Sequence, residues 1–197
     1  MSKSMRAIAI GTIALAVSGS AALSAQDKYT LQVPGGLAFS EFRGYETWPV
    51  VALSYVLPPE GGAQGAMASE GTLNVIVANP AMIQAYTSGF PGNGKPWPDG
   101  AKMAKIQYSG RKSATAPFNV AVPNTLKDVA FMAKDSKRFA DSGGWGWAIF
   151  KYDGASDTFT PFTLADQPPQ GNDAKCGFAC HTIVKNRDYV FTEFPTR

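Results

Sequence analysis

The sequence predicts an α+β fold, a β-rich antiparallel sheet domain with short helices. Three observations predict it. Residues 72–78, 101–108, 128–134, 147–152 and 188–194 are short runs rich in β-branched and aromatic residues, several with alternating polarity. Twenty glycines and 14 prolines break the chain between such runs, which suits many turns and few long helices. No internal repeat or sustained heptad is present, so a bundle of four long helices does not fit.

Taken in order, the chain opens with a secretory leader. Lys3 and Arg6 supply a positive start, residues 7–17 are a short apolar run, and small residues precede Gln26. That run is too short for a spanning helix of ~20 residues; an uncleaved anchor is the competing reading. Residues 1–25 are therefore expected to leave, and residues 26–197 to form a single domain with its own core. Lys3 and Arg6 go with the leader, taking the net charge from +3 to +1. Near-neutrality, with no basic cluster interleaved with aromatics, argues against a nucleic-acid partner.

The mature part begins with an expected helix over residues 40–48, with Ser40 as its N-cap and Pro49 interrupting it. Pro58-Pro59-Glu60-Gly61-Gly62 opens a loop to about residue 71. The strand at 72–78 leads into a helix capped by Asn79, with Pro80 at its first position and Gly89 at its stop. A Gly/Pro-rich loop over 89–100 carries Trp97 and Asp99. The strand over 101–108 follows, and a turn or short helix at 135–139 separates the next two.

Both cysteines and the only histidine fall within six residues, Cys176-Gly177-Phe178-Ala179-Cys180-His181. Cys-x-x-Cys-His is the pattern of covalent c-type haem attachment, and this stretch has that order with one extra spacer residue. Two thiols form thioethers with the porphyrin vinyls, and the adjacent histidine becomes the axial ligand to iron. Three other readings stay open: a disulfide, strained by so short a spacing; structural zinc, which normally takes four ligands; and two idle thiols. Haem explains the histidine as well as the thiols. It also fits export, because c-type haem is attached outside the cytoplasm in bacteria.

Beyond this stretch the chain resembles the cytochrome P-460 family and its relative, the β-sheet cytochrome c-prime. The resemblance rests on Gly44-Tyr45-Glu46-Thr47-Trp48, Trp97-Pro98-Asp99-Gly100 and Lys134-Asp135-Ser136-Lys137-Arg138-Phe139. The strand from Trp145 to Phe150 and Asp188-Tyr189-Val190-Phe191-Thr192 complete it. It implies one covalent haem c bound by Cys176, Cys180 and His181, with His181 on the iron and the sixth position open. It also implies a periplasmic homodimer, a small nitrogenous or diatomic ligand and a periplasmic redox partner. P-460 enzymes carry a lysine joined to the haem edge, on the strand after an Asp-Gly turn. The matching position is Lys105, the candidate cofactor-binding and catalytic residue.

Strand alternation puts Lys105 on one face with Met103 and Gln107, and Lys102 on the other. A lysine at a sheet edge, snorkelling to water, is the competing reading. Hydroxylamine-oxidising members have a distal arginine and an acid. Their matching positions here are Leu73 and the apolar stretch 129–132, so an apolar distal face is expected, with Phe131 a candidate crowding residue or ordinary core. Three functions follow: hydroxylamine oxidation, nitric oxide binding, or electron transfer. A carrier would usually add a methionine ligand, and Met67, Met82, Met103 and Met132 lie in no characteristic ligand loop.

Overall fold

The computed structural model describes residues 25–57, 71–91, 94–165, 167–173 and 177–194. The leader as far as residue 24, the loop from 58 to 70 and Cys176 lie outside the described residues. Among these residues the sheet has β1 (Val50–Val56), β2 (Thr72–Ala78), β3 (Lys102–Lys112), β4 (Ala121–Lys134), β5 (Trp145–Asp153) and β6 (Thr158–Pro161). The strands lie side by side in chain order, and every neighbouring pair is antiparallel. The expected β-rich antiparallel fold with short helices is what the chain adopts.

Strand register divides the side chains between two faces. Val77, Ala104, Phe131 and Ala148 stand in one cross-strand row. They belong to a core closed by Phe39, Phe42 and Tyr45 from the N-terminal segment. The next row, Ile76, Lys105, Ala130 and Ile149, stands on the opposite face. There α1 (Pro80–Thr87), Trp97 and the Tyr189-Val190 pair complete a second core with Met82, Met103, Met132, Trp145 and Trp147.

Helix α1 begins where the sequence places it. Asn79 Oδ1 accepts from the Met82 amide at 3.1 Å and from the Lys102 amide at 3.0 Å, so one cap also ties α1 to β3. Two expectations are corrected. The helix over 40–48 is instead two 3-10 turns, Phe39–Phe42 and Tyr45–Thr47, because Gly44 between them turns left-handed at φ 82°. The segment 188–194 is not a strand. Asp188 and Tyr189 adopt φ values of 49° and 66°, which break an extended chain. Strands β1 and β6 were not anticipated.

Phe131 is core rather than a crowding residue. Its ring stacks on Phe42 at 4.0 Å and 12°, and meets Phe39 and Tyr45 edge-on at 5.1 and 5.3 Å. Phe131→Ala should therefore cost about 3–5 kcal/mol of stability. Chemical denaturation should show it as a lower midpoint at unchanged slope.

Candidate functional site

The second face and the C-terminal segment enclose a cavity of about 260 Å³. His181 and Lys105 both line it, the first from short helix α2 (Phe178–His181), the second from mid-β3. Ile76, Met103, Ala130, Met132 and Val190 make the wall largely apolar, and Ser54, Asn74 and Thr192 add polar groups. Lys105 is half-buried, and Lys102 points away. The Lys102 ammonium donates to the Glu41 carbonyl at 2.7 Å on the far face, so alternation places both lysines as expected.

His181 is held on three sides. Its ring lies 4.4 Å from Trp147 and 4.8 Å from Phe191. Its Nδ1 is 2.5 Å from the Tyr189 carbonyl. A carbonyl only accepts, so Nδ1 carries the proton and the basic lone pair resides on Nε2. This tautomer suits a metal-ligating imidazole. Cys180, one residue earlier, is exposed on α2.

Trp147 owes its place to β5's unshared edge. Beyond the reach of β6, Gln170 completes the backbone of Trp147: its Oε1 accepts from the Trp147 amide at 2.7 Å and its Nε2 donates to the carbonyl at 2.8 Å. Gly171 can follow because its φ of 71° and the lack of a Cβ let its backbone sit against Trp147.

The Tyr189 carbonyl is fixed from the other side. Asp188 accepts from the Lys134 ammonium at 2.7 and 2.9 Å and from the Trp97 amide at 2.7 Å. Lys134 also donates to the Gly143 carbonyl at 3.0 Å, and Trp145 Nε1 donates to the Asp188 carbonyl at 2.9 Å. Gly143 must lack a side chain, since a Cβ there would collide with the Tyr189 ring.

The distal face is less apolar than expected. Leu73 belongs to the row of Tyr55 and Tyr108, with the parity of the first core, whereas its neighbour Asn74 lines the cavity. Asn74 is 6% exposed; its amide donates to Ser54 Oγ at 3.0 Å while its Oδ1 has no partner. Likewise Val129 and Phe131 have the parity of the first core, although Phe131 still borders the cavity, and Asp128 pairs with Gln107 on the cavity face. Burial pushes the Asp128 carboxyl up from its ordinary value, opposed by the charges of Lys105, Lys127 and Lys151 and a Gln107 hydrogen bond. Met103 and Met132, which lie in no characteristic ligand loop, also stand in the cavity wall.

These residues fit a haem. The wall is apolar, the one histidine presents the ligating tautomer, and two buried polar groups in the wall, Asn74 Oδ1 and Trp147 Nε1, lack protein partners. The indole N–H suits a guest with an acceptor, and the amide oxygen suits one with an N–H or O–H donor. Sheet and site together define an antiparallel β-sheet protein with a largely apolar, histidine-bearing cavity. Residues 42–192 match the family model for cytochrome P460, and the chain belongs to the cytochrome P460 family, whose cofactor is haem. A search of curated proteins found no matching relative.

One titration follows from the second core, to which Tyr86 belongs. Burial raises the Tyr86 hydroxyl to about 12, against a lowering hydrogen bond from Thr192. Tyr86 shares a 2.7 Å hydrogen bond with Thr192 Oγ1 and stacks on Phe194 at 5.3 Å, so it ties α1 to the C-terminal segment. The raised folded value means that the folded state favours the proton. Its stabilisation is complete below the ordinary tyrosine value of about 10 and is lost as pH rises towards 12. Denaturation midpoints should fall between pH 10 and 12, and Tyr86→Phe should flatten that fall.

Proposed function

We propose that this protein is an exported c-type haem protein of the P-460 kind that acts on small nitrogen species in the periplasm, by oxidising hydroxylamine. The observation that carries this reading is that Lys105 and His181 line one cavity. His181 would hold the iron through Nε2, Cys176 and Cys180 would hold the porphyrin as thioethers, and Lys105 would lie at the haem edge. The haem supplies the redox-active iron that exchanges electrons with substrate and with a periplasmic redox partner.

The chain's own residues do the rest. The Tyr189 carbonyl keeps the proton on Nδ1 and so makes Nε2 the stronger donor to a metal. Ile76, Met103, Ala130 and Met132 exclude water from one side of the cavity. Asn74 offers an unpartnered side-chain oxygen, an acceptor that would orient a small ligand bearing an N–H or O–H. Asp128, on the same sheet face as Lys105, is a carboxylate of raised proton affinity and a candidate acceptor for protons released on oxidation. It lies outside the cavity lining itself.

Nitric oxide binding without turnover is the second reading. It is favoured by the small size and mostly apolar wall of the cavity. The homodimer is proposed on family resemblance.

The purified mature protein should retain haem through acid–acetone extraction and gain the mass of one haem. Loss of haem from intact protein sinks the covalent reading. Peptide mapping across residues 101–111 should find Lys105 joined to haem, and Lys105→Ala should abolish hydroxylamine oxidation. An unlinked Lys105 with a five-coordinate ferrous spectrum that binds nitric oxide selects the second reading. A low-spin spectrum with methionine–iron absorption selects an electron carrier, with Met103 or Met132 as ligand.

A further inference from the structure

We propose that the buried Lys134–Asp188 ion pair is a positioning device for His181, acting through the Asp188-Tyr189 turn. The inference rests on His181 being the iron ligand.

Five contacts converge on this turn. The Lys134 ammonium reaches both Asp188 carboxylate oxygens, at 2.9 and 2.7 Å, and the pair is enclosed, with side chains 5% and 17% exposed. The Trp97 amide donates to the same carboxylate at 2.7 Å, and the Trp145 indole donates to the Asp188 carbonyl at 2.9 Å. Trp97 Nε1 donates to the Arg187 carbonyl at 3.3 Å, one residue earlier. The next carbonyl along the chain, that of Tyr189, takes the His181 Nδ1 proton.

The backbone explains why so much holds so little. Asp188 and Tyr189 are both left-handed, at φ 49° and 66°, and two consecutive non-glycine residues there persist only where the surroundings over-determine them. The ion pair is the part of those surroundings that comes from side chains on both sides. Lys134 sits at the end of β4, in register with Trp145 of β5, so the anchor belongs to the sheet. His181 is thus referenced to the sheet that also carries Lys105, although the two residues are 76 apart in the chain. Lys134 and Asp188 touch neither the iron nor a substrate; they act through Tyr189.

The test reads the histidine–iron bond itself. In the ferrous holoprotein, Asp188→Asn keeps the size and the tolerance for a left-handed φ but removes the charge. It should shift the iron–histidine stretching band to lower frequency and make the reduction potential more positive, because a loosened Nδ1 hydrogen bond makes the imidazole a poorer donor. Lys134→Arg should retain most of the native band. Glu41→Gln breaks the exposed Arg138–Glu41 pair elsewhere and should leave band and potential unchanged, which separates positioning from general loss of stability.

A native band and potential in Asp188→Asn would overturn the proposal. If that variant does not mature, the wild-type holoprotein decides. The chain has a single histidine, so its hyperfine-shifted Nδ1 proton is unambiguous. Slow exchange with solvent supports the clamp, and rapid exchange overturns it. His181→Ala that leaves the coordination number and optical spectrum of the ferrous haem unchanged would defeat the ligand assignment instead, a result distinct from failure of the clamp.

Discussion

One constraint organises the half of the molecule that matters for chemistry. A lysine ammonium at the end of a central strand is buried, and the counter-charge that meets it is a carboxylate from the C-terminal segment. Removing one member of such a pair typically costs about 3–5 kcal/mol, because the survivor stays buried and unpaired. That asymmetry gives the C-terminal segment little freedom to detach. With Asp188 fixed, the chain must run past Trp97 and Trp145, and α2 is brought over the sheet so that His181 faces Trp147.

Four of the five stretches that carry the family resemblance converge on this point, while Gly44-Tyr45-Glu46-Thr47-Trp48 packs in the first core. Trp97-Pro98-Asp99-Gly100 contributes the Trp97 amide to Asp188, and Asp99 accepts from the Ser136 amide and hydroxyl at 2.8 and 2.7 Å. Lys134-Asp135-Ser136 thus supplies both the buried ammonium and the partner of Asp99. The strand opened by Trp145 supplies the indole that holds the Asp188 carbonyl. Segments distant in sequence are one hydrogen-bonded unit, which is why they look unremarkable one at a time and specific in their order.

Much of this was legible in the sequence. Strands β2 to β5 announce themselves by β-branched and alternating runs, and the Asn79–Pro80 start of α1 was correct to the residue. The unseen strands have physical excuses. β1 is an edge strand whose Leu53 and Val56 are exposed, so burial imprints no pattern on it, and β6 is only four residues long and ends in Pro161. Residues 188–194 mislead in the opposite direction. Tyr, Val, Phe and Thr favour strands, but the ion pair and the two left-handed residues override propensity with tertiary contacts. Cys180 and His181 stand out by spacing, whereas Lys105 stands out only through the family resemblance, strand parity adding the face it shares with Met103 and Gln107. Trp147 was not legible, because its role depends on Gln170 completing an edge 23 residues away.

The distal face teaches the sharpest lesson about parity. Leu73 and the stretch 129–132 made that face look apolar, but adjacent residues on a strand point to opposite sides. Moving by one position replaces Leu73 with Asn74, and Val129 with Asp128. An alignment error too small to alter the fold therefore inverts the inferred chemistry of the cavity. The polar version carries an energetic cost. A buried amide oxygen and a buried indole N–H without protein partners each cost about 1–3 kcal/mol, a burden that a purely apolar wall would not carry. Placed in the same cavity as His181 and Lys105, they mark a site shaped for a guest with polar atoms of its own, and they set this cavity apart from ordinary sheet-face packing.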